Sequence, residues 1–369
     1  MAKRVGVDKW LFGVTLLLVF IGLLMVFSAS AVMAEDRYGS PYTFVSKQVG
    51  WAVLGLVTMI VLMRIDYRKF NRPIVVFPAV AVTTLLLLGV FLLRDSHNTH
   101  RWILFAGFSF QPSEIAKPVL VLFLAWFLQD KLHSIRDWRN TLLPAALPTI
   151  LFILLIVKEP DLGTALVCAA VAGLMFYLAG AETKYLGYAV LAAAPVLYFL
   201  LFRVPWRRAR MLAFMNPEAD PQGAGFHTIQ SLIAGGTGGL RGLGFMEGRQ
   251  KLFYLPQPHT DFIFANIAEE LGLIGALAII ALFVALGYRG LRAASLAKAV
   301  FARFLAFGIT ATILIQAFFN ISVVLAVVPT KGITLPFVSY GGTSLFITLA
   351  SIGVLLSLTR EIDCRPCGL

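Results

Sequence analysis

The sequence predicts an all-α integral membrane protein with about ten transmembrane helices, and two observations carry this prediction. Of the 369 residues, 59% are hydrophobic and only 14% are charged, whereas a soluble domain has roughly 25% charged residues. The apolar residues also occur in continuous runs close to twenty residues long, which is about the length that crosses the hydrocarbon of a bilayer. This composition excludes a soluble enzyme, and the thirty Phe residues exclude a disordered chain.

Ten apolar runs follow one another along the chain, and each is an expected helix. The fourth is short and begins with polar residues. Because the runs are continuous and do not alternate, transmembrane β-strands are excluded. The expected spans are residues 10–32, 46–63, 73–93, 114–128, 141–157, 162–180, 185–202, 261–288, 304–328 and 342–359.

The distribution of positive charge predicts the orientation of these helices. With a cytoplasmic N-terminus, seventeen Lys and Arg residues fall on inner segments and six in the short outer loops, which is the bias expected of cytoplasmic loops. Both termini are therefore predicted to be cytoplasmic. The same bias explains most of the net charge of +12, so no nucleic acid partner is expected. The inner residues are Lys3, Arg4, Lys9, Arg64, Arg68, Lys69, Arg72, Lys131, Arg136, Arg139, Lys184, Arg289, Arg292, Lys298, Arg303, Arg360 and Arg365, and the outer ones are Arg37, Lys47, Arg94, Arg101, Lys158 and Lys331.

The first span has an alternative interpretation as a secretory signal. Basic residues precede it, and Ala29-Ser30-Ala31 resembles a signal-peptidase site. The apolar stretch is longer than a usual signal segment and many spans follow it, so an uncleaved helix is favoured.

A segment of nearly sixty residues, about 203–260, separates the seventh and eighth spans and is predicted to be extracytoplasmic. With the spans, it makes residues 1–369 a single membrane domain. Loops of this length are uncommon unless they have a function. Residues 234–244 are dense in glycine and are either a hinge or a nest of backbone N–H groups that binds an anion.

Ionisable side chains at membrane depth cost about 2.5 kcal/mol or more, so each one is a candidate functional group. Glu114 and Lys117 share a helix face and either neutralise each other or serve a ligand. Glu159 and Asp161 flank a proline at a helix start, where capping is the alternative explanation.

Asp261 stands where the basic segment meets the eighth span, next to His259. A helix N-cap is the alternative role for this carboxylate. Glu269 and Glu270 lie deeper and point about 100° apart, so at most one is expected to face the same cavity as Asp261.

Two further features complete the candidates. Residues 329–332 and 339–342 predict a shaped re-entrant loop, because irregular backbone at membrane depth implies a protein-lined cavity. Cys364 and Cys367 form a lone C-x-x-C that cannot close a tetrahedral zinc site, so no metal site is predicted.

Several motifs, in order along the whole chain, resemble the signature of the SEDS family, which includes FtsW, RodA and SpoVE. They are QPSE at 111–114 with KP at 117–118, EPDLGTA at 159–165, LPQPHTDFIFA at 255–265 with EELG at 269–272, PTKG at 329–332, LPF at 335–337 and SYGG at 339–342. DPQG at 220–223, GFH at 225–227, QS at 230–231 and RQK at 249–251 favour the FtsW/SpoVE branch over RodA.

The resemblance implies a ten-span peptidoglycan glycosyltransferase of the bacterial cytoplasmic membrane. Such a protein polymerises lipid II into a nascent glycan strand at the outer face, with a class B penicillin-binding protein as partner, for division, elongation or sporulation. It implies Asp261 as the catalytic residue. Gln257 departs from the family, which usually has glutamate there, so it is left out of the predicted catalytic residues.

Glycosyl transfer from a lipid diphosphate needs a base for the acceptor hydroxyl and positive charge for the leaving group. Asp261 is predicted to accept the proton of the GlcNAc 4-hydroxyl during an inverting attack, and a divalent cation is left open as a cofactor. The alternatives are a lipid II flippase, which needs polar groups through the full membrane thickness, and a non-catalytic scaffold. The candidate substrate-binding residues are Arg101, Glu114, Lys117, Arg208, Arg210, Arg249, His259 and Lys331.

Overall fold

The computed structural model describes residues 6–92, 101–105, 108–135, 137–223, 225–252 and 254–362. Cys364, Cys367, Arg94, Arg136 and Arg365 therefore lie outside the described residues. The helices are α1 Lys9–Tyr38, α2 Thr43–Arg64, α3 Pro73–Gly89, α4 Pro112–Gln129, α5 Leu143–Lys158, α6 Leu162–Leu178, α7 Thr183–Phe202, α8 Pro205–Met215, α9 Phe226–Thr237, α10 Ile263–Leu296, α11 Val300–Val324 and α12 Gly342–Ile362. A small antiparallel hairpin, β1 Ile103–Phe105 and β2 Phe108–Phe110, precedes α4.

Eight helical segments in the described part of the chain are long and apolar enough to cross a membrane. They are α1, α2, α3 together with the 3₁₀ turn that follows it (Pro73–Leu92), α5 together with the π-helical turn that precedes it (Trp138–Lys158), α7, α10, α11 and α12. Helix α6 is apolar but has only 17 residues, and α4 has 18 residues with a charged pair in its first turns. These ten helices coincide with the ten predicted spans. The prediction of an all-α, multi-pass membrane protein is confirmed.

The buried core of the bundle is formed mainly by α4, α10, α11 and α12. Helix α11 lies between α4 and α10, and α2 packs along α12. By contrast, α7 has no buried residue and lies at the periphery, with its main contacts to α6 and α8. Helices α4, α10, α11 and α12 therefore form the interior of the bundle, and α7 lies at its edge.

Helix α10 is broken at Gly272, whose φ of 68° is left-handed. The segment between α7 and α10 docks into this break. The backbone N–H of Leu273 donates to the carbonyl of Gly239 at 2.9 Å, and that of Leu243 donates to the carbonyl of Glu269 at 3.0 Å. Because a side chain at position 272 would meet backbone atoms of the docked segment within 3 Å, the approach requires glycine.

Two buried glutamates of α10 hold the same segment in place. Glu269 accepts a hydrogen bond from the backbone N–H of Arg249 at 2.8 Å. Glu270 forms an ion pair with Lys251 at 2.7 Å and accepts the Ser28 hydroxyl of α1 at 2.6 Å. The segment is therefore anchored to α1 and α10 by buried charge.

These contacts bear on two expectations from the sequence. Neither Glu269 nor Glu270 lines the cavity that contains Asp261, which agrees with the expectation that at most one of them faces it. Backbone N–H groups just beyond the glycine-rich stretch, at Met246 and Arg249, donate to these two carboxylates. Backbone N–H groups within the stretch donate to carbonyls of α10, so the stretch docks onto that helix.

Candidate active site

A cavity of about 540 Å³ lies at one end of the bundle. At this end the segment between α7 and α10 (residues 203–262, called the 203–262 segment) lies near the β1–β2 hairpin. The walls of the cavity come from α2, α4, α6, α11 and α12 and from the chain that joins α11 to α12. That last stretch, residues 325–341, has no α-helix and is buried at residues 335–339; it contains the two motifs from which a re-entrant loop is predicted. The lining residues include Trp51, Arg101, Trp102, Gln111, Glu114, Lys117, Asp161, Thr164, Gln257, Thr260, Asp261, Gln316, Gly332, Thr334, Tyr340 and Ser344.

Asp261 lies in this cavity two residues before α10 begins. Its backbone carbonyl accepts the Asn320 amide of α11 at 2.9 Å, and the preceding carbonyl, of Thr260, accepts the Ser339 hydroxyl at 2.6 Å. Gly332 leaves room for the carboxylate, because a Cβ there would lie 2.9 Å from Oδ2. The backbone is thus fixed, while no described residue donates a hydrogen bond to the carboxylate, which stays open to a ligand.

The surroundings of Asp261 shift the pKa of its carboxyl. Burial raises the pKa of its carboxyl to about 6, and the charges of Arg210 and Arg101 oppose this rise. The group is therefore mostly ionised at pH 7 and has a pKa near that pH. A general base works best when its pKa lies near the operating pH, so the site suits proton abstraction.

Arg101 and Asp161 form a second wall of the cavity. The Arg101 guanidinium donates from Nε to the carbonyl of Glu159 at 2.8 Å and from Nη2 to the next carbonyl. Asp161 caps α6 by accepting the backbone N–H of Thr164 at 3.2 Å, and it also accepts the Gln111 amide at 3.1 Å. The capping role predicted for Asp161 is present, and the same carboxylate lines the cavity.

Glu114 and Lys117 border the cavity from α4. They form an ion pair at 2.9 Å with both side chains buried. Lys117 also donates to the Gln316 amide oxygen at 2.6 Å, and the Gln316 amide donates in turn to the carbonyl of Thr334 at 3.0 Å. The pair neutralises itself, as one of the two alternatives from the sequence requires, and it links α4, α11 and the chain between α11 and α12.

Helix α8 directs two arginines toward this region. Arg207 is buried and donates to the carbonyl of Leu200 at 3.2 Å, and the charge of Arg210 acts on Asp261. Both guanidinium groups lie over the Trp206 ring, at 5.1 and 5.2 Å from its centroid. Arg207 was not predicted as a site residue, although its spacing of three from Arg210 places both on one helix face.

Lys331 is half-buried, and its ammonium interacts with the charges of Arg101, Arg207, Arg210 and Asp161. Burial lowers the pKa of its ammonium to about 7; Asp161 opposes this shift, while Arg207, Arg101 and Arg210 add to it. Lys331 does not line the cavity itself. Arg101 and Arg210 therefore act on Asp261, Lys331 interacts with Asp161, and Arg207 interacts with Lys331.

Of the eight predicted substrate-binding residues, three line the cavity and five do not, namely Arg208, Arg210, Arg249, His259 and Lys331. Arg208 and Arg249 are exposed. His259 is buried against the rings of Phe44 and Tyr340, at centroid distances of 4.8 and 5.5 Å. Burial lowers the pKa of this imidazole to about 4, so it packs as a neutral ring.

Gln257 lines the cavity in a left-handed conformation with φ of 51°. Its side-chain oxygen accepts the Thr260 hydroxyl at 3.3 Å, so it supports the turn before Asp261. Within the described ranges, no group of three His, Cys, Asp or Glu residues has a geometry that could hold a metal ion.

Comparisons with known proteins identify relatives along nearly the whole chain. A family model described as a cell cycle protein, covering FtsW, RodA and SpoVE, matches residues 8–363. A probable peptidoglycan glycosyltransferase FtsW of Geobacter metallireducens is 43% identical over 348 residues, covering 94% of this chain and 92% of the relative. Stage V sporulation protein E of Bacillus subtilis is 40% identical over 361 residues, covering 97% and 98%.

Solved structures show the same architecture. A chain from a structure on the coordination of polymerization and crosslinking by a peptidoglycan synthase complex aligns with a TM-score of 0.80 at 28% identity, covering 97% of this chain and 98% of that one. The rod shape determining protein RodA of Thermus thermophilus aligns with a TM-score of 0.70 at 25% identity, covering 96% and 97%.

Proposed function

The chain belongs to the FtsW/RodA/SpoVE family and is a peptidoglycan glycosyltransferase, and we propose that it polymerises lipid II with Asp261 as the general base. The observation that carries this proposal is the geometry of Asp261. Its backbone is fixed by α11 and the re-entrant loop, whereas its carboxylate is free and faces a cavity bordered by cations.

The proposed step is an inverting glycosyl transfer. The GlcNAc 4-hydroxyl of one lipid-linked unit gives its proton to the Asp261 carboxylate and forms a bond to the anomeric carbon of the other. The bond from that carbon to the diphosphate breaks, and its electron pair leaves with the lipid diphosphate. General-base help of this kind contributes about 10²–10⁴-fold.

The leaving diphosphate needs positive charge that is in place before the reaction. Arg101 lines the cavity, the charge of Arg210 acts on Asp261, and Lys331 interacts with both Asp161 and Arg207. In this proposal these four side chains hold the diphosphate. Glu114 and Lys117 shape the deeper wall that receives the sugar portion.

The cavity end of the bundle faces the outside of the cytoplasmic membrane in this proposal, with both termini in the cytoplasm. The excess of Lys and Arg on the opposite segments supports this orientation. A class B penicillin-binding protein is the proposed partner, which is supported by the similarity to a chain of a peptidoglycan synthase complex.

Two exposed or partly exposed arginines of the same segment provide a matched test of where the diphosphate lies. We expect Arg210→Ala to lower kcat/KM for lipid II about 10–100-fold, because a hydrogen bond to a charged group contributes about 1.5–3 kcal/mol. We expect Arg249→Ala to leave kcat/KM within about twofold, because its side chain is exposed and, unlike Arg210, is not among the charges that act on Asp261. Equal losses in the two variants would contradict this placement.

The decisive assay for the function uses purified protein with its penicillin-binding partner, labelled lipid II and penicillin to block crosslinking. We expect glycan strands to form. A lipid II flippase would give transbilayer movement in vesicles and no strands, and a scaffold would give neither. Strand formation that continues when this chain is omitted would assign the activity to the partner.

A further inference from the structure

The turn between α5 and α6 contains a carboxyl group that the proposed reaction does not use. Glu159 follows the last residue of α5, and its side chain is completely buried, at 0% exposure. Neither carboxyl oxygen has a hydrogen-bond partner among the described residues. Buried polar groups are nearly always hydrogen-bonded, so this group requires a physical explanation.

The backbone of the same turn carries Arg101. The guanidinium is bonded to the carbonyl of Glu159 and to that of Pro160, while Nη1 has no partner in the described part of the chain. Arg101 also lines the cavity of Asp261. The guanidinium is thus held by neutral carbonyls, and its charge remains available to an anion in the cavity.

We propose that Glu159 is a positioning residue whose carboxyl is kept uncharged so that Arg101 stays on the turn carbonyls and faces the cavity. An ionised Glu159 would be shielded from solvent at 0% exposure, with no hydrogen-bond donor among the described residues, and a buried unpaired charge is very costly. Pairing with Arg101 would relieve that cost and would withdraw the guanidinium from the cavity. This inference rests on the proposed function, in which Arg101 binds the diphosphate.

The charges around the group agree with this arrangement. Burial raises the pKa of Glu159 to about 8, the nearby Asp161 raises it further, and Arg101 opposes the rise. The carboxyl is therefore about 90% neutral at pH 7 and about 10% neutral at pH 9. Arg101 is the cation whose charge acts on the Glu159 carboxyl, so an ionised Glu159 would attract Arg101.

The test is the ratio of the polymerisation rate of Glu159→Gln to that of the wild type across pH, since the ratio cancels every other titrating group. Glutamine is neutral at all pH values and nearly isosteric. We expect a ratio of about 1 at pH 7 that rises to about 10 at pH 9. The control Glu218→Gln changes an exposed carboxylate and should give a ratio near 1 throughout.

A ratio for Glu159→Gln that stays flat with pH, or a large loss of activity at pH 7, would overturn the inference. If that variant does not fold, Glu159→Met provides the same test. Infrared difference spectra of the wild type between pH 7 and pH 9 give a readout independent of activity. A protonated-carboxyl band should disappear with a midpoint near pH 8, and its absence would overturn the inference. Failure of the wild type to polymerise at pH 7 would instead reject the proposed function.

Discussion

Replacing Asp261 with asparagine is expected to lower the rate of glycan-strand formation by about 10²–10⁴-fold, the contribution of a positioned general base. Asparagine has the same shape but cannot accept the proton. The backbone contacts that fix the position, from Asn320 to the Asp261 carbonyl and from Ser339 to the Thr260 carbonyl, do not involve the carboxylate. The fold should therefore be retained, and thermal unfolding in detergent checks this.

A matched change separates this effect from a general loss of negative charge. Glu218→Gln alters an exposed carboxylate in the same segment and should leave the rate of lipid II polymerisation unchanged. Polymer of normal length and normal yield from Asp261→Asn would reject the assignment of the base. A variant that unfolds at a much lower temperature would show instead that the carboxylate is structural.

Replacing Lys117 with methionine is expected to lower the free energy of unfolding by about 3–5 kcal/mol. The change removes one partner of a buried ion pair and leaves the Glu114 carboxylate uncompensated, which is the costly case. The double variant Glu114→Gln with Lys117→Met removes both charges, so it should regain most of that stability. Thermal or denaturant unfolding in detergent measures the series.

An exposed Lys–Glu pair on α7 serves as the control for this cycle. Lys184 contacts Glu182 with both side chains substantially exposed, and such pairs contribute little because water screens them. Lys184→Met should give no measurable change in stability. If the double variant proved as unstable as Lys117→Met alone, the loss would come from packing or from the contact to Gln316, and charge would not explain it.

The helices of the bundle could be predicted from the sequence because each membrane span is a continuous run of apolar residues, which can be recognised from its composition alone. All ten predicted runs coincide with helices, including α4, which begins with a charged pair. The internal structure of the 203–262 segment could not be predicted in this way. Helix α8 is only 11 residues long and not apolar, and the docking at Gly272 joins residues about thirty positions apart.

Asp261 could be predicted because an ionisable group at the start of an apolar helix is costly and therefore conspicuous. Arg208, Arg249 and His259 belong to the same segment as Asp261, yet none of their side chains lines its cavity, since the direction of each side chain depends on how the segment packs. A charged residue near Asp261 in sequence therefore need not have its side chain in the cavity.

The uncharged members of the site gave no such signal. Gln111, Gln316 and Asn320 lie on or beside apolar helices, where burying an uncharged amide costs less free energy than burying a charge and so does not single the residue out. Each one nevertheless forms a hydrogen bond to a neighbouring element at the cavity. Arg207 is not among the predicted site residues for a different reason. Only the helical spacing of α8 distinguishes this buried arginine from the exposed Arg208 that follows it.

The pH dependence of a single round of glycosidic-bond formation between pH 5 and pH 7 tests the role of Asp261 most directly. A general base works only when it is deprotonated, and burial raises the pKa of this carboxyl to about 6. The wild-type rate should therefore rise with pH through a midpoint near 6. The small residual rate of Asp261→Asn should not change over the same range. A rate with the same midpoint in Asp261→Asn would contradict the assignment of Asp261 as the base.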